Sequence, residues 1–317
     1  MLMSRRSAEI LLAAVIIARS TSLLFAKMAL RTLAPLNLLA VRFLLAFAIL
    51  CLIFMKKLRR LSWRDLGHGA LLGASFFSEM VFEMFALRAT TPSTTSFLEN
   101  TAVVLVPLLG CLYARRAPEK RTLAMAALAL FGVGCLTLGG GAGAIGVGHL
   151  LGIVTAVCYA NTILLTGRLS RQGDALLLGI LQVGFLGLYA LVGSLLFETP
   201  RLPQGGTEWG AILELCLVCT CFGFTFQPVA QRSVSATLAG QFCALNPLSV
   251  FVLSIVFLRE PFSPVGALGG LCILGSILLQ NLHLGHHPTL HAAAAAAPVH
   301  AAHPKLRAAP AAPSRRG

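Results

Sequence analysis

The sequence predicts an all-α, polytopic membrane protein with ten transmembrane helices in two inverted five-helix repeats. Three observations predict this fold: the composition, the spacing of the apolar stretches and an internal repeat. Hydrophobic residues make up 57% of the 317 residues and charged residues only 11%, and the mean hydropathy is +0.83. Because about a quarter of the residues in an ordinary soluble domain are charged, this chain is expected to lie in a lipid bilayer.

Ten stretches are apolar and long enough to cross a bilayer, since a span needs about 20 largely apolar residues. They lie near 8–29, 34–55, 66–87, 93–114, 121–140, 147–168, 175–197, 209–230, 235–258 and 264–283. The first is interpreted as a retained span, because its apolar character continues past Arg19 without the clear cleavage site of a signal peptide.

The distribution of basic residues predicts the orientation. The formal net charge of +14 would suit a nucleic-acid-binding protein, but most Lys and Arg residues fall in loops on one side, with clusters at 56–64 and 115–121. By the positive-inside rule both termini are expected in the cytoplasm. We therefore predict an integral protein of a bacterial cytoplasmic (inner) membrane, with the lipid bilayer and not a nucleic acid as its partner.

An offset of 140 residues superimposes the two halves of the chain. Residues 11–31 align with 151–171, and the same offset carries Phe82 to Phe222 and Pro107 to Pro247. Each half holds five predicted spans, an odd number, so the second half enters the membrane from the opposite face. Inverted repeats of this kind are typical of secondary transporters. The predicted domains are 8–140, 147–283 and a disordered cytoplasmic tail, 284–317, rich in Ala, Pro and His.

Segments 96–136 and 238–279 share a mid-helix Pro, a Glu in the following loop and a Gly-rich final helix. These features are Pro107 with Glu119 and Pro247 with Glu260. They resemble the two EamA domains of the drug/metabolite transporter superfamily. The resemblance implies a ten-helix transporter of small metabolites or drugs with both ends in the cytoplasm. Arg19 departs from the family pattern, which usually has an aromatic or small residue in this region.

Five charged side chains of the first four predicted spans lie well inside the membrane, where each costs several kcal/mol unless it faces the bundle interior and finds a partner. With a rise of 1.5 Å per residue, they lie roughly 16, 12, 13, 7 and 9 Å from the outer ends of their spans. In that order they are Arg19, Arg42, Glu79, Glu83 and Glu99. Glu79 and Glu83 are four residues apart and share one helix face, so that face is expected to point inward.

We hypothesise that Glu79, together with Glu99, binds a proton or a cationic group of the substrate, while Arg19 or Arg42 receives a carboxylate or phosphate. Two alternatives remain open. Arg42 and Glu79 would form a structural pair that only orients helices, and Glu83 and Glu99 would be solvated near the outer surface. Glu214, in the second repeat, is also expected to be solvated at that surface.

The second repeat supplies uncharged polar groups that can orient a ligand or form hydrogen bonds between helices. The candidates for substrate binding are Tyr159, Asn161, Gln182, Gln227 and Gln241. No metal site is predicted: the CLVCTC run at 216–221 contains C-x-x-C but lacks the βαβ context of a redox motif.

These observations predict a secondary active transporter that works by alternating access and is proton-coupled or exchange-driven, because no ATP-binding motif is present. It is expected to need no cofactor and to act as a monomer or homodimer on a small-molecule substrate. The alternative is an intramembrane enzyme or lipid-modifying protein that uses the Glu and Arg residues for acid/base chemistry. Such an enzyme needs a nucleophile beside a base, and His68 and His149 lie only at span edges, so we predict that the chain is not an enzyme.

Overall fold

A computed structural model describes residues 5–59, 61–113, 115, 117–139, 146–233, 245–258 and 264–284, and every regular element in these ranges is a helix. In the first half these are α1 (Arg5–Ser20), α2 (Ser22–Ala29), α3 (Pro35–Ile53), α4 (Met55–Leu58), α5 (Trp63–Ala89), α6 (Pro92–Asn100), α7 (Ala102–Tyr113) and α8 (Lys120–Gly139). In the second half they are α9 (Val147–Leu169), α10 (Ala175–Phe197), α11 (Gly205–Glu214), the π-helical segment Leu215–Phe224 (hereafter the π segment), α12 (Thr225–Ser233), α13 (Leu245–Leu258) and α14 (Pro264–Leu284).

Seven stretches of the described residues are helical, long and apolar enough to cross a membrane. They are Ile10–Ala29, Pro35–Ile53, Trp63–Ala89, Pro92–Tyr113, Val147–Leu169, Ala175–Phe197 and Gly205–Ala230. Shorter apolar helices cover Leu123–Cys135 and Pro264–Ser276. The described part of the chain is therefore all-helical, with the apolar helices of a membrane protein, as the composition predicts.

Two of the predicted continuous spans are interrupted by a threonine. The Thr21 hydroxyl donates to the Ala18 carbonyl at 2.9 Å, and the Thr101 hydroxyl donates to the Leu98 carbonyl at 2.6 Å. Such a local hydrogen bond offers the backbone an alternative to the helical ladder. The predicted spans 8–29 and 93–114 are consequently each built from two consecutive helices rather than one.

The contacts between helices of the two halves occur in pairs, and each contact has a counterpart in which the two halves are interchanged. Helix α5 of the first half packs along α9, and α1 packs in turn against the π segment and α12, which follow α11 in the second half. The contact of α7 with α9 is likewise matched by the contact of α1 with α13. Two further pairs, α3 with α10 and α8 with α14, join corresponding helices of the two halves.

The α5–α10 contact depends on two glycines spaced four apart, as the GxxxG pattern at 69–73 suggests. A Cβ atom on Gly73 would lie 2.7 Å from the Phe185 Cβ, and one on Gly69 would overlap Leu181. The absence of these side chains lets the two backbones approach closely.

The α3–α10 pair is fixed at both ends by charged residues. At one end the Glu198 carboxylate accepts the backbone N–H groups of Leu36 (3.0 Å) and Asn37 (2.7 Å), which open α3. At the other end Lys57 Nζ lies 2.7 Å from Asp174 Oδ2. Burial alone would raise the pKa of Asp174, but the Lys57 ammonium and the first amides of α10 bring that pKa below its ordinary value.

Candidate functional site

Arg19 extends from the end of α1 into the helix bundle. Its Nη1 donates to Gln227 Oε1 at 2.6 Å and to Tyr159 Oη at 3.4 Å. Its guanidinium carbon lies 4.3 Å from the centre of the Phe224 ring, a cation–π distance. Tyr159 is the residue that the 140-residue offset pairs with Arg19, so two equivalent positions face each other inside the bundle.

Arg42 is 1% exposed and packs against the π segment. Its Nε donates to Thr220 Oγ1 at 2.8 Å and its Nη1 to Ser22 Oγ at 3.1 Å, and its guanidinium carbon lies 5.5 Å from the centre of the Phe224 ring. Among the described residues, Nη2 has no hydrogen-bond partner. The alternative of a structural pair between Arg42 and Glu79 is wrong, because α3 directs Arg42 toward the π segment.

The three carboxyl groups of the first half are all buried. Glu79 is 0%, Glu83 5% and Glu99 3% exposed, so the alternative in which Glu83 and Glu99 are solvated near the surface is wrong. The side chains of Glu83 and Glu99 lie beside each other. Because an ionised carboxylate can only accept hydrogen bonds, these two groups can bond to each other only when one of them carries a proton.

Arg19 and Arg42 complete what we call the interior polar cluster, which consists of Arg19, Arg42, Glu79, Glu83 and Glu99. The charge of Arg19 acts on all three carboxyl groups, and the charge of Arg42 acts on Glu83. Two guanidinium groups therefore lie among three carboxyl groups, so the number of protons on the carboxyl groups sets the net charge of this buried cluster.

Glu79 differs from the rest of this cluster because neither of its carboxylate oxygens has a hydrogen-bond partner within the described part of the chain. The Thr162 hydroxyl of α9 lies beside this carboxylate. That hydroxyl, however, donates to the Cys158 carbonyl at 3.0 Å and lies 2.8 Å from the Ser75 hydroxyl. A fully buried carboxylate is thus left with two unused acceptor atoms.

The polar residues predicted in the second half divide between two roles. Tyr159 and Gln227 contact Arg19 directly. Gln182 Nε2 instead donates to the Phe224 carbonyl at 2.9 Å, which is the helix-to-helix alternative. Asn161 lies toward the edge, where it accepts a hydrogen bond from the exposed Tyr113 hydroxyl at 2.8 Å. Gln241 lies outside the described residues.

The π segment was not predicted, because the spacing of its apolar residues is that of an ordinary helix. Two hydroxyls follow its unusual ladder: Thr220 donates to the Leu215 carbonyl at 2.8 Å and Thr225 to the Thr220 carbonyl at 3.3 Å, each five residues back. Threonines spaced by five residues in an apolar run were the one available signal. Regular α-helices bond four residues back.

Glu214 is half-buried and has partners that the sequence did not predict. Its carboxylate lies 2.5 Å from the Thr21 hydroxyl, whose single proton is shared between Glu214 and the Ala18 carbonyl, and 3.5 Å from the Cys219 thiol. Glu214 therefore combines partial exposure with a link from α11 to the break between α1 and α2. The break at Thr21 provides the hydroxyl that this carboxylate needs.

Comparison with known proteins identifies the family. A model of the EamA-like transporter family matches the chain twice, over residues 6–138 and 146–282. The chain belongs to the EamA-like transporter family. The prediction of an EamA-type member of the drug/metabolite transporter superfamily is thus confirmed.

Curated relatives include the uncharacterized transporter YetK of Bacillus subtilis, 27% identical over 75% of this chain and 76% of its own length. Two uncharacterized transporters of Archaeoglobus fulgidus are 26% and 28% identical, covering 81% and 86% of this chain and 80% and 96% of their own lengths. A solved crystal structure superimposes with a TM-score of 0.64 at 21% identity, covering 88% of this chain and 98% of that one, and so shares the fold.

Family membership and the apolar helices identify an integral membrane transporter. Transport implies a small-molecule substrate and a lipid environment. The family and the named relatives are transporters, which is consistent with the prediction that the chain is not an enzyme.

Proposed function

We propose that the protein is a secondary active transporter that moves a small polar metabolite or drug by alternating access. In this proposal two inverted five-helix repeats, 8–140 and 147–283, enclose the substrate and rock against each other. The exchanged helix neighbours support the repeats, because a two-fold relation between the halves turns the α5–α9 contact into the contact of α1 with α12. The meeting of Arg19 with Tyr159, 140 residues apart, supports the same relation.

The interior polar cluster is the proposed binding and coupling site, and the observation that carries this proposal is the unpartnered Glu79 carboxylate. A buried charge without a partner is strongly unfavourable. Glu79 must therefore be neutralised, either by a proton or by a cationic group of the substrate. Competition between these two for one carboxylate links substrate release to proton binding.

The arginines would receive an anionic group of the substrate. Arg19 already binds Gln227, whereas Arg42 has a buried N–H group without a partner among the described residues. A carboxylate or phosphate oxygen fits this donor. Tyr159 and Gln227 hold Arg19 in place and are the second-half residues that we propose in the site, while Gln182 and Asn161 join helices; Gln241 stays a sequence prediction.

The proposed setting is a bacterial inner membrane with both termini in the cytoplasm and the chain acting as a monomer or homodimer. The basic loops support this orientation, because Lys56, Arg59 and Arg64 lie on one side and are exposed. The tail 284–317 would extend into the cytoplasm.

The proposal is tested in two stages. A thermal-shift screen of the purified protein against amino acids, nucleosides, nucleotide sugars and organic cations identifies a ligand. Uptake of that ligand into liposomes is then measured across pH for the wild type, for Glu79→Gln and for Glu119→Gln, a matched change at an exposed loop position. We expect Glu79→Gln to lose the pH dependence that Glu119→Gln retains. Unchanged pH dependence in Glu79→Gln would rule out the coupling role.

A further inference from the structure

The π segment determines where both arginines of the interior polar cluster lie. Arg42 Nε binds Thr220, and both guanidinium groups rest against the Phe224 ring. Arg19 also uses a gap in this segment, because a Cβ atom on Gly223 would lie only 2.9 Å from Arg19 Cγ. Three residues of the π segment therefore contact both arginines of the proposed site.

These contacts depend on the π register. Ten residues make about 2.8 turns of an α-helix, whereas a ladder of i→i+5 bonds fits fewer turns, so the two forms differ by about half a turn over the segment. In an α-helical register Thr220, in the middle of the segment, would be turned by about a quarter turn from Arg42, and Phe224, at its end, by about half a turn from both arginines. The register of the backbone and the position of the arginines are thus coupled.

The π register is stabilised by side chains and not by the backbone alone. The Thr220 and Thr225 hydroxyls bond to carbonyls five residues back, and Gln182 satisfies the Phe224 carbonyl. The segment is also much longer than the single-turn π-bulges that are usual in helices and that cluster at functional sites. Because the π form depends on these side-chain hydrogen bonds, an ordinary α-helix is the conformation expected when they are lost.

We propose that the π segment is the element that changes register during the transport cycle, switching between π and α forms as the arginines bind and release the substrate. A ligand shifts a conformational equilibrium only through contacts that differ between the two states. An anionic group that binds Nη2 of Arg42, which is unpartnered among the described residues, draws the guanidinium away from Thr220 and Phe224, and so weakens contacts that exist only in the π form. This inference rests on the proposed alternating-access function.

Two native cysteines can report the register. Cys216 and Cys221 are five residues apart in the π segment, the spacing of its hydrogen-bond ladder, and neither forms a disulfide. Five residues of α-helix rise about 7.5 Å along the axis alone, which exceeds the roughly 7 Å between Cα atoms that a disulfide can bridge. A disulfide between these two positions is therefore possible in the π form and excluded in the α form.

The experiment uses the full chain with every other cysteine replaced by alanine and with Thr21→Cys, a half-buried position beside Arg19, as an accessibility reporter. Copper phenanthroline oxidises the Cys216–Cys221 pair, and peptide mass mapping identifies the bridge. A membrane-impermeant maleimide then probes the reporter in right-side-out and inside-out vesicles. The matched control carries Val192→Cys and Phe197→Cys instead, a pair with the same spacing on the regular helix α10.

We expect the Cys216–Cys221 pair to bridge and the control pair to stay reduced. Before oxidation the reporter should be labelled from both sides; after oxidation labelling should be lost from one side and return on reduction. Absence of the bridge, or a bridged protein still labelled from both sides, overturns the register switch and leaves the proposed function intact. Labelling from one side before oxidation contradicts alternating access itself, and the switch with it.

Discussion

The third span of the first half and its counterpart in the second half occupy equivalent places but carry opposite chemistry. Helix α5 is a regular α-helix that presents Glu79 and Glu83 to the interior. Adding the 140-residue offset gives Cys219 and Gly223, which lie in the π segment. The first half thus supplies negative charge, and the second supplies the surface that holds the arginines. A repeat can preserve the packing of a helix while changing what the helix does.

Glu79→Gln should have the largest effect on uptake, because it removes the charge that distinguishes Glu79 from Cys219, the equivalent position. We expect uptake of the identified ligand to fall about a hundredfold, equal to roughly 3 kcal/mol, since the partner cation then lacks its counter-charge. Cys219→Ala, at the equivalent position, should change uptake little. Comparable losses in the two variants would remove the proposed difference between the halves.

Gly223→Ala should have the next largest effect. The new methyl group would press on Arg19 Cγ and shift the guanidinium from Gln227, at an overpacking cost of about 1–3 kcal/mol. Gly210→Ala on α11 is the control, because no heavy atom lies within 4 Å of its would-be Cβ. Thermal unfolding in detergent measures both. Equal midpoints for the two variants would show that Arg19 does not need the gap.

Thr220→Val tests the hydroxyl that supports both Arg42 and the π register. The variant leaves the buried Arg42 Nε without a partner, so we expect a loss of about 1–2 kcal/mol in the free energy of unfolding. Thr207→Val, an exposed change on α11, should be close to neutral. If Thr220→Val is equally neutral, the hydroxyl does not support the segment.

The smallest effect is expected at Lys57 and Asp174, whose side chains are 37% and 43% exposed. Lys57→Ala should cost less than about 1 kcal/mol, because solvent screens such pairs. The folded pKa of Asp174 is lowered, so its contribution is present at neutral pH and is lost as the pH falls below the ordinary Asp value of about 3.9. Unfolding midpoints of both proteins between neutral and acidic pH should converge; a constant difference would contradict the pairing.

Composition and spacing were sufficient to predict the membrane class and the buried location of Glu79, whereas the family was predicted from the resemblance of the segments around Pro107 and Pro247. They could do so because the cost of a charge in lipid is large and does not depend on which neighbour it meets. The partners were not predictable. Whether Arg42 contacts Glu79 or Thr220 depends on the rotation of each helix, and the π segment shifts that rotation by about half a turn.

Local hydrogen bonds explain the remaining differences between the predicted and the observed structure. The breaks at Thr21 and Thr101 arise from hydroxyls that bond three residues back, a choice that the apolar pattern of the spans does not encode. The break at Thr21 also brings its hydroxyl to Glu214. Glu214, which was expected to be solvated at the surface, therefore also links two helices.

The most direct test of the account is the chemical state of Glu79 with and without ligand. A hydrophobic carbodiimide reacts with protonated carboxyl groups in apolar surroundings, and peptide mass mapping locates the adduct. The account predicts an adduct on Glu79 in the ligand-free protein that is prevented by the ligand from the thermal-shift screen. A Glu79 that does not react, or that reacts equally in the presence of ligand, would contradict its role as the site where proton and substrate compete.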